Sequence, residues 1–319
     1  MTKLISLARI AALAALAACG HAQPAVNHPA ATAHAAAPAP AAAKPEADHG
    51  KIDRGGTCEQ QLARLQDAYD RNAEAVEFLN RVYAQQKEQQ AAREREQPAD
   101  DAVFAVDVTS DIQAGQVDGP ASAPVTIIKA FDFACPYCQR VSATMEELVK
   151  DYKGKVRVVY ANMVVHPPAK PAHLASCAAA KQGKYMQFKD AFWDKGFGPY
   201  AASGGQSTAS LEEASILAIA KGAGLNSARL KTDMASAECE KRIDADMAEL
   251  AKFHVDSTPT FFVNGKHIAG AVDKDELKRI IDEQLKLAEQ SGVPGAEYYQ
   301  KVVLGKGEKK FRSKVDPRP

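Results

Sequence analysis

An excess of charge of either sign is missing from this chain: Lys and Arg total 40, Asp and Glu total 40, and the formal net charge is zero. No global field therefore recruits nucleic acid or anionic lipid. Apolar runs long enough to cross a bilayer are also missing near the N-terminus, where Ile10 to Ala18 is too short to span. A second CxxC is absent, and with it the usual four-ligand pattern of a structural zinc site. What is present is 46% hydrophobic content over 319 residues. That is enough to bury a full core and still form more than one part, and it excludes a chain disordered throughout.

Six cysteines, at positions 19, 58, 135, 138, 177 and 239, have to be explained, and their reading depends on the redox compartment. Lys3 and Arg9 form a small basic region ahead of the apolar run, as in an export signal. Leu16-Ala17-Ala18-Cys19 resembles a bacterial lipobox, which implies a signal peptide over 1–18, cleavage before Cys19 and lipidation of that cysteine; an ordinary secretory signal is the alternative. Either way the chain reaches an oxidising space in the cell envelope. Lipidation adds a membrane anchor, and Gly20 carries no inner-membrane retention signal, which favours the outer membrane.

Residues 19–57 begin as an Ala/Pro-rich tether without apolar period. Its His21, His28, His34 and His49 lack the fixed spacing of a metal site. Over 58–98 a long helix is expected, in which Leu62, Leu65, Tyr69, Asn72, Val76, Leu79 and Tyr83 follow heptad spacing with Asn72 as the polar, register-setting member. Pairing of two copies through this seam, a homodimer, and docking of the helix on its own domain both satisfy the pattern. From 99 to 291 strands and helices alternate as in an α/β domain. Val103 to Thr109, Val125 to Phe133 and Val156 to Val165 read as strands, helices follow over about 170–253, and a hairpin turns at Asn264-Gly265 before a last helix, Lys274 to Gln290. The tail, 292–319, offers one docking turn at Tyr298, Tyr299, Val302 and Val303, then a loose basic end.

Cys135-Pro136-Tyr137-Cys138 lies between a strand and a helix. If Cys135 opens that helix, residues i and i+3 share a face, so the two sulfurs come within disulfide range. Unpaired N–H groups and the helix dipole then favour thiolate at Cys135. Pro136 suits the first turn because its φ is preset and its missing N–H would have had no helical partner. A zinc reading would need completing ligands such as His173 and Cys177. Cys177 and Cys239, both in the helical middle, are expected to pair as a structural disulfide, with two buried free thiols as the alternative. Cys58 is then left over, either bridging two chains or standing free.

Phe131-Asp132-Phe133-Ala134-Cys135-Pro136-Tyr137-Cys138 and Thr258-Pro259-Thr260-Phe261-Phe262-Val263-Asn264-Gly265 together resemble the DsbA-like thioredoxin-fold family of thiol:disulfide interchange proteins, over about Ala102 to Gln290. The resemblance implies an α/β thioredoxin fold with a helical insertion, preceded by the long N-terminal helix. It implies that Cys135 attacks and Cys138 resolves the mixed disulfide, with Pro136, Tyr137, Thr258 and Pro259 supporting the site and Pro259 in cis. No metal or nucleotide cofactor is implied. Partners would be cysteine-containing envelope proteins and a redox-recycling membrane protein. Two departures stand out. Lys129 occupies the position where relatives carry a buried acid; it either tunes the cysteines by charge or snorkels to solvent from the strand end, and the second is the expectation. Pro-Tyr between the cysteines, in place of Pro-His, looks closer to isomerase-type DsbG-like relatives and leaves the direction of electron flow open. A client-binding chaperone module and a dedicated electron donor to one envelope partner are the alternatives.

Overall fold

The structure, a computed structural model, describes residues 55–317. The signal peptide, Cys19 and the tether up to residue 54 lie outside the described residues. The chain divides at Asp70 into two units. Helix α1, Cys58–Arg71, contains no buried residue, and neither does α2, Ala73–Glu96. The expected single helix is interrupted at Asn72, whose backbone sits at φ −109°, ψ 9°. The residue assigned to hold a heptad register therefore lies between two helices instead, without a side-chain capping hydrogen bond. Leu62, Leu65, Tyr69, Leu79 and Tyr83 all stand exposed.

The second unit is built on a five-stranded sheet. After α3, Thr109–Gln113, come β1, Val117–Asp118, β2, Val125–Phe131, and the site-bearing helices α4, Pro136–Arg140, and α5, Ser142–Asp151. Strand β3, Val156–Asn162, pairs parallel with β2. Six helices follow: α6, Lys170–Ala180; α7, Tyr185–Phe192; α8, Gly198–Ala202; α9, Glu213–Gly222; α10, Ser227–Met234; and α11, Ala237–Ala251. Strands β4, Thr260–Val263, and β5, Lys266–Ala269, form the hairpin, and α12, Lys274–Gln290, and α13, Gly295–Tyr298, complete the helices. The strand order is β1-β3-β2-β4-β5.

Every residue of β2 and β3 is buried, as expected for central strands covered on both faces. Side chains alternate between the faces. Ile127 and Phe131 enter the core formed with Met145, Leu148 and Leu277, while Ile128 and Ala130 enter a second core with Phe104, Phe253 and Tyr299. Arg157 Nε donates to Thr126 Oγ1 at 2.9 Å across these strands, and Asn264 Oδ1 accepts from Thr126 N. At the hairpin, Asn264 and Gly265 both have positive φ, the pattern of a type I′ turn. A Cβ on Gly265 would come within 2.7 Å of the Phe104 carbonyl, so the turn packs too closely for any side chain.

Two expectations are corrected. The run Val103 to Thr109 is not a strand: Phe104 makes one isolated bridge to Glu308, and Thr109 begins α3. Its amides are met elsewhere, Phe104 N donating to Gly265 O and Ala105 N to Glu308 O, so its apolar side chains fill the second core without a sheet position. The two-residue β1 takes the edge beside β3. The tail is not loose as far as residue 317. Tyr299 Oη donates to the Val106 carbonyl at 2.6 Å, Arg312 pairs with Glu308 and Asp101, and Ser313 bridges to Pro98.

Candidate active site

Cys135 is the N-cap of α4, with Pro136 in the first turn and the Cys138 amide donating to its sulfur at 3.4 Å. The thiol, when protonated, donates to the Thr258 carbonyl at 3.3 Å, and the Thr258-Pro259 peptide is cis. The Cys135 pKa is pulled from its ordinary value down to about 5. The Cys138 thiol is the largest cause; the Thr258 side chain and the amides of Cys138 and Tyr137 add to it, against desolvation, which raises it. Cys138 is fully buried, and its pKa is pushed far up, first by burial and then by the hydrogen bond to Cys135. At neutral pH the site therefore presents one thiolate and keeps one thiol in reserve. Tyr137 projects half-exposed, with the Arg140 guanidinium 5.1 Å above its ring.

Lys129 does not snorkel. It is mid-strand in β2 on the same face as Ile127 and Phe131, the face that α4 and α5 cover, and it has no exposed surface. Its Nζ donates to the Cys138 carbonyl at 2.9 Å. Burial, the largest influence, lowers its pKa to about 8. Its charge acts to lower the Cys138 pKa. A second buried cation, Lys189 on α7, lies over the other end of this polar patch: both amines flank the Tyr160 ring, at 6.0 Å for Lys129 and 5.0 Å for Lys189. Lys189 is ion-paired with Asp190 and Glu146.

The turn from β2 into α4 is held from below. The buried Asp132 carboxylate accepts from Ala134 N at 2.6 Å, Val165 N at 2.6 Å and His166 N at 2.7 Å. His173, on α6, accepts from Phe133 N through Nε2 at 3.3 Å, and its Nδ1 lies 2.8 Å from Asn162 Oδ1. Asn162 in turn donates from N and Nδ2 to Asp246 Oδ2 on α11.

Of the residues singled out from the sequence, Cys135, Pro136, Tyr137, Cys138, Lys129, Thr258 and Pro259 come together at this one end of the sheet. Cys177 and Cys239 lie apart from it, joined in a disulfide that ties α6 to α11. Cys177 is thus not available as a zinc ligand, and both ring nitrogens of His173 are engaged. Cys58 stands exposed at the start of α1. Sequence reasoning passed over Asp132, Asn162, Asp246 and Lys189. Their one signal was a polar residue next to, or inside, an otherwise apolar buried run, as at Asp132 and Asn162.

A protein-family model described as thioredoxin matches residues 111–283, more than half of the chain. The chain belongs to the thioredoxin family. Probable disulfide bond formation protein D of Bacillus anthracis is 30% identical over a stretch covering 53% of this chain and 77% of that protein. The Na(+)/H(+) antiporter NhaA 3 of Salinispora tropica is 32% identical over 57% of this chain. The chain spans about a quarter of the length of that antiporter and of the next two matched, and no helix among the described residues is long and apolar enough to cross a membrane. A thioredoxin-like oxidoreductase from Silicibacter pomeroyi DSS-3 is similar in structure, with a TM-score of 0.46 at 30% identity, covering 53% of this chain and 91% of that one.

Proposed function

We propose that this thioredoxin-family member is an envelope thiol:disulfide oxidoreductase acting on protein cysteines, and that its favoured direction is oxidation of client thiols. The observation that carries the reading is the asymmetry of the dithiol: Cys135 is held as a thiolate at a helix N-cap beside Thr258, while Cys138 stays buried and protonated. In the oxidised protein a client thiolate attacks Cys135 Sγ, the Cys135–Cys138 bond breaks, and Cys138 leaves and takes up a proton. A second client thiolate then attacks the client sulfur of the mixed disulfide and releases Cys135 as a thiolate. The client loses two electrons and the protein gains them. A stabilised leaving thiolate favours this direction, because stabilising the reduced form makes the disulfide a stronger oxidant.

Refolding of a reduced, disulfide-containing client, together with the reduction potential measured against glutathione, tests the proposal. Cys135→Ser should abolish turnover, Cys138→Ser should trap client mixed disulfides, and the potential should lie on the oxidising side of thioredoxin's. Retained turnover in Cys135→Ser would sink the activity, and a thioredoxin-like potential would sink the direction.

The same proposal places the protein in the envelope, anchored through Cys19 and recycled by a membrane redox partner. The basic-apolar leader and Leu16-Ala17-Ala18-Cys19 support the anchor, and loss of membrane fractionation in Cys19→Ala is its test. It also includes self-association through exposed apolar residues of the two N-terminal helices, Leu62, Leu65 and Tyr69 on α1 and Leu79 and Tyr83 on α2. Sedimentation should give a multiple of the chain mass for the wild type and the monomer mass for Leu65→Lys/Leu79→Lys.

A further inference from the structure

The hydrogen bonds beneath the active-site turn form a chain in which each acceptor fixes the next donor. Asp246 Oδ2 accepts from both the backbone N and the side-chain Nδ2 of Asn162, at 2.9 and 2.6 Å. Asp246 is hydrogen-bonded to the buried Asp111, whose pKa burial raises to about 9. Whatever the charge of that pair, Oδ2 already accepts the Asn162 backbone N–H and so meets the amide with a lone pair, which leaves only one orientation, with Nδ2 toward Asp246 and Oδ1 toward His173. Asn162 Oδ1 has no proton to give, so His173 Nδ1, 2.8 Å away, must be the donor. The other ring nitrogen receives the Phe133 amide at 3.3 Å and must therefore carry a lone pair. Both nitrogens are thus assigned, and the ring is the neutral Nδ1–H tautomer. Packing holds the ring in place, with the Phe131 and Phe133 rings 5.3 and 5.0 Å away. The site is fully buried, and burial pushes the His173 pKa down to about 4, which keeps the imidazole neutral across the working pH range.

We propose that His173 is a positioning residue for thiol-disulfide exchange: as the neutral Nδ1–H tautomer it holds the Phe133 amide, and through it the turn that aims Cys135 at its thiolate-stabilising donors. Phe133 is two residues before Cys135, and the Ala134 amide between them is held by Asp132. His173 and Asp132 therefore grip consecutive amides of one turn from two different elements, α6 and the turn itself. Releasing the Phe133 amide lets the turn drift from the geometry in which the Cys138 amide meets the Cys135 sulfur beside Thr258. The inference rests on the proposed exchange activity for its consequence, although the tautomer itself does not.

Two measurements test it. Long-range proton–nitrogen NMR of the full-length protein, with the His173 signals assigned by their loss in His173→Gln, should show the Nδ1–H tautomer unchanged between roughly pH 5 and pH 8. An Nε2–H tautomer, or an imidazolium in that range, would overturn the proposal with no variant needing to fold. The second measurement is the pH profile of Cys135 alkylation in the reduced protein. His173→Leu removes the acceptor and should raise the thiolate midpoint by about one unit, which is about a tenfold loss of rate on the acid limb. His173→Gln keeps an acceptor near Phe133 N and should restore most of that rate, which a residue needed only for folding would not produce. If His173→Leu fails to fold, Asn162→Ala carries this arm, since losing Oδ1 frees the tautomer and should shift the midpoint the same way. An unchanged midpoint in the variant that folds, or no restoration by Gln, refutes the proposal. Loss of client turnover in Cys135→Ser alongside an unmoved midpoint would reject the His173 role and leave the exchange activity standing.

Discussion

Replacing Lys129 by Met should make the protein's stability less dependent on alkaline pH. In the unfolded chain this amine titrates near 10.5; in the fold, burial lowers it to about 8. Between those values the unfolded chain binds a proton that the native protein does not, so unfolding becomes harder as pH rises. The penalty for a protonated Lys129 is fully felt below pH 8 and is relieved as pH climbs through 8 toward 10.5. A shift of about 2.5 units corresponds to about 3 kcal/mol, of which on the order of 2 kcal/mol should be recovered between pH 7 and pH 10. Met removes that penalty and also the hydrogen bond to the Cys138 carbonyl, a charge-assisted bond contributing roughly 1.5–3 kcal/mol. The two nearly offset at pH 7, so the variants should unfold at similar urea concentrations there. At pH 10 the wild type should be the more stable by about 2 kcal/mol, because its amine is neutral yet still donates. Urea unfolding of the reduced proteins at both pH values, compared as wild type minus variant, cancels other titrations to first order. Parallel stability curves would refute the account of Lys129 as a buried, depressed amine. Its charge bears on Cys138 first, so the Cys135 thiolate titration should move far less in Lys129→Met than in Cys138→Ala.

In Cys138→Ala the largest influence lowering Cys135 is gone, and the alkylation midpoint, expected near pH 5 in the wild type, should move toward the ordinary thiol value; a fixed midpoint argues against the pairing. Because that pKa is depressed, the stability gained from the Cys135 thiolate is present above the unfolded thiol's pKa and is lost as pH falls through about 5. The reduced protein should therefore weaken on acidification more than the oxidised one, as read by thermal unfolding. Cys177→Ala/Cys239→Ala opens a crosslink between positions 62 apart and should cost up to ~4 kcal/mol in the chain-entropy account; a cost near zero by urea unfolding would refute it. Asp132→Ala strands the amides of Ala134, Val165 and His166 and should destabilise by on the order of 2–4 kcal/mol. Hydrogen exchange at Val165 and His166 that stays slow in that variant would contradict this role.

The central strands were legible because β-branched runs at Ile127-Ile128 and Val158-Val159 leave few other structures open to them. The dithiol was legible because its chemistry depends on local spacing. Lys129 was misread because a side chain's exposure depends on what covers its face of the sheet, and α4 and α5 do so from positions later in the chain. The supposed strand at Val103 to Thr109 failed for a related reason: its alternation serves a core made with Phe253 and Tyr299, well over 100 positions away in sequence, and its amides pair outside the sheet. Asn162 stood out only as a polar residue at the end of an apolar run, and no local pattern could join it to His173 and Asp246. They come from a strand and two helices, and only the fold reveals that each polar group answers the next.

The disulfide between α6 and α11 has a consequence for how the protein is made. One of the helices it ties carries His173 and the other carries Asp246, so the scaffold beneath the reactive turn is itself secured by the product of the proposed chemistry. If the proposed activity and envelope location hold, a newly made chain whose Cys177 and Cys239 are still thiols is itself a client for copies that have already matured. On the proposed activity maturation feeds on itself: the first molecules oxidise slowly and later ones quickly, and a trace of finished protein added to reduced chains shortens the lag.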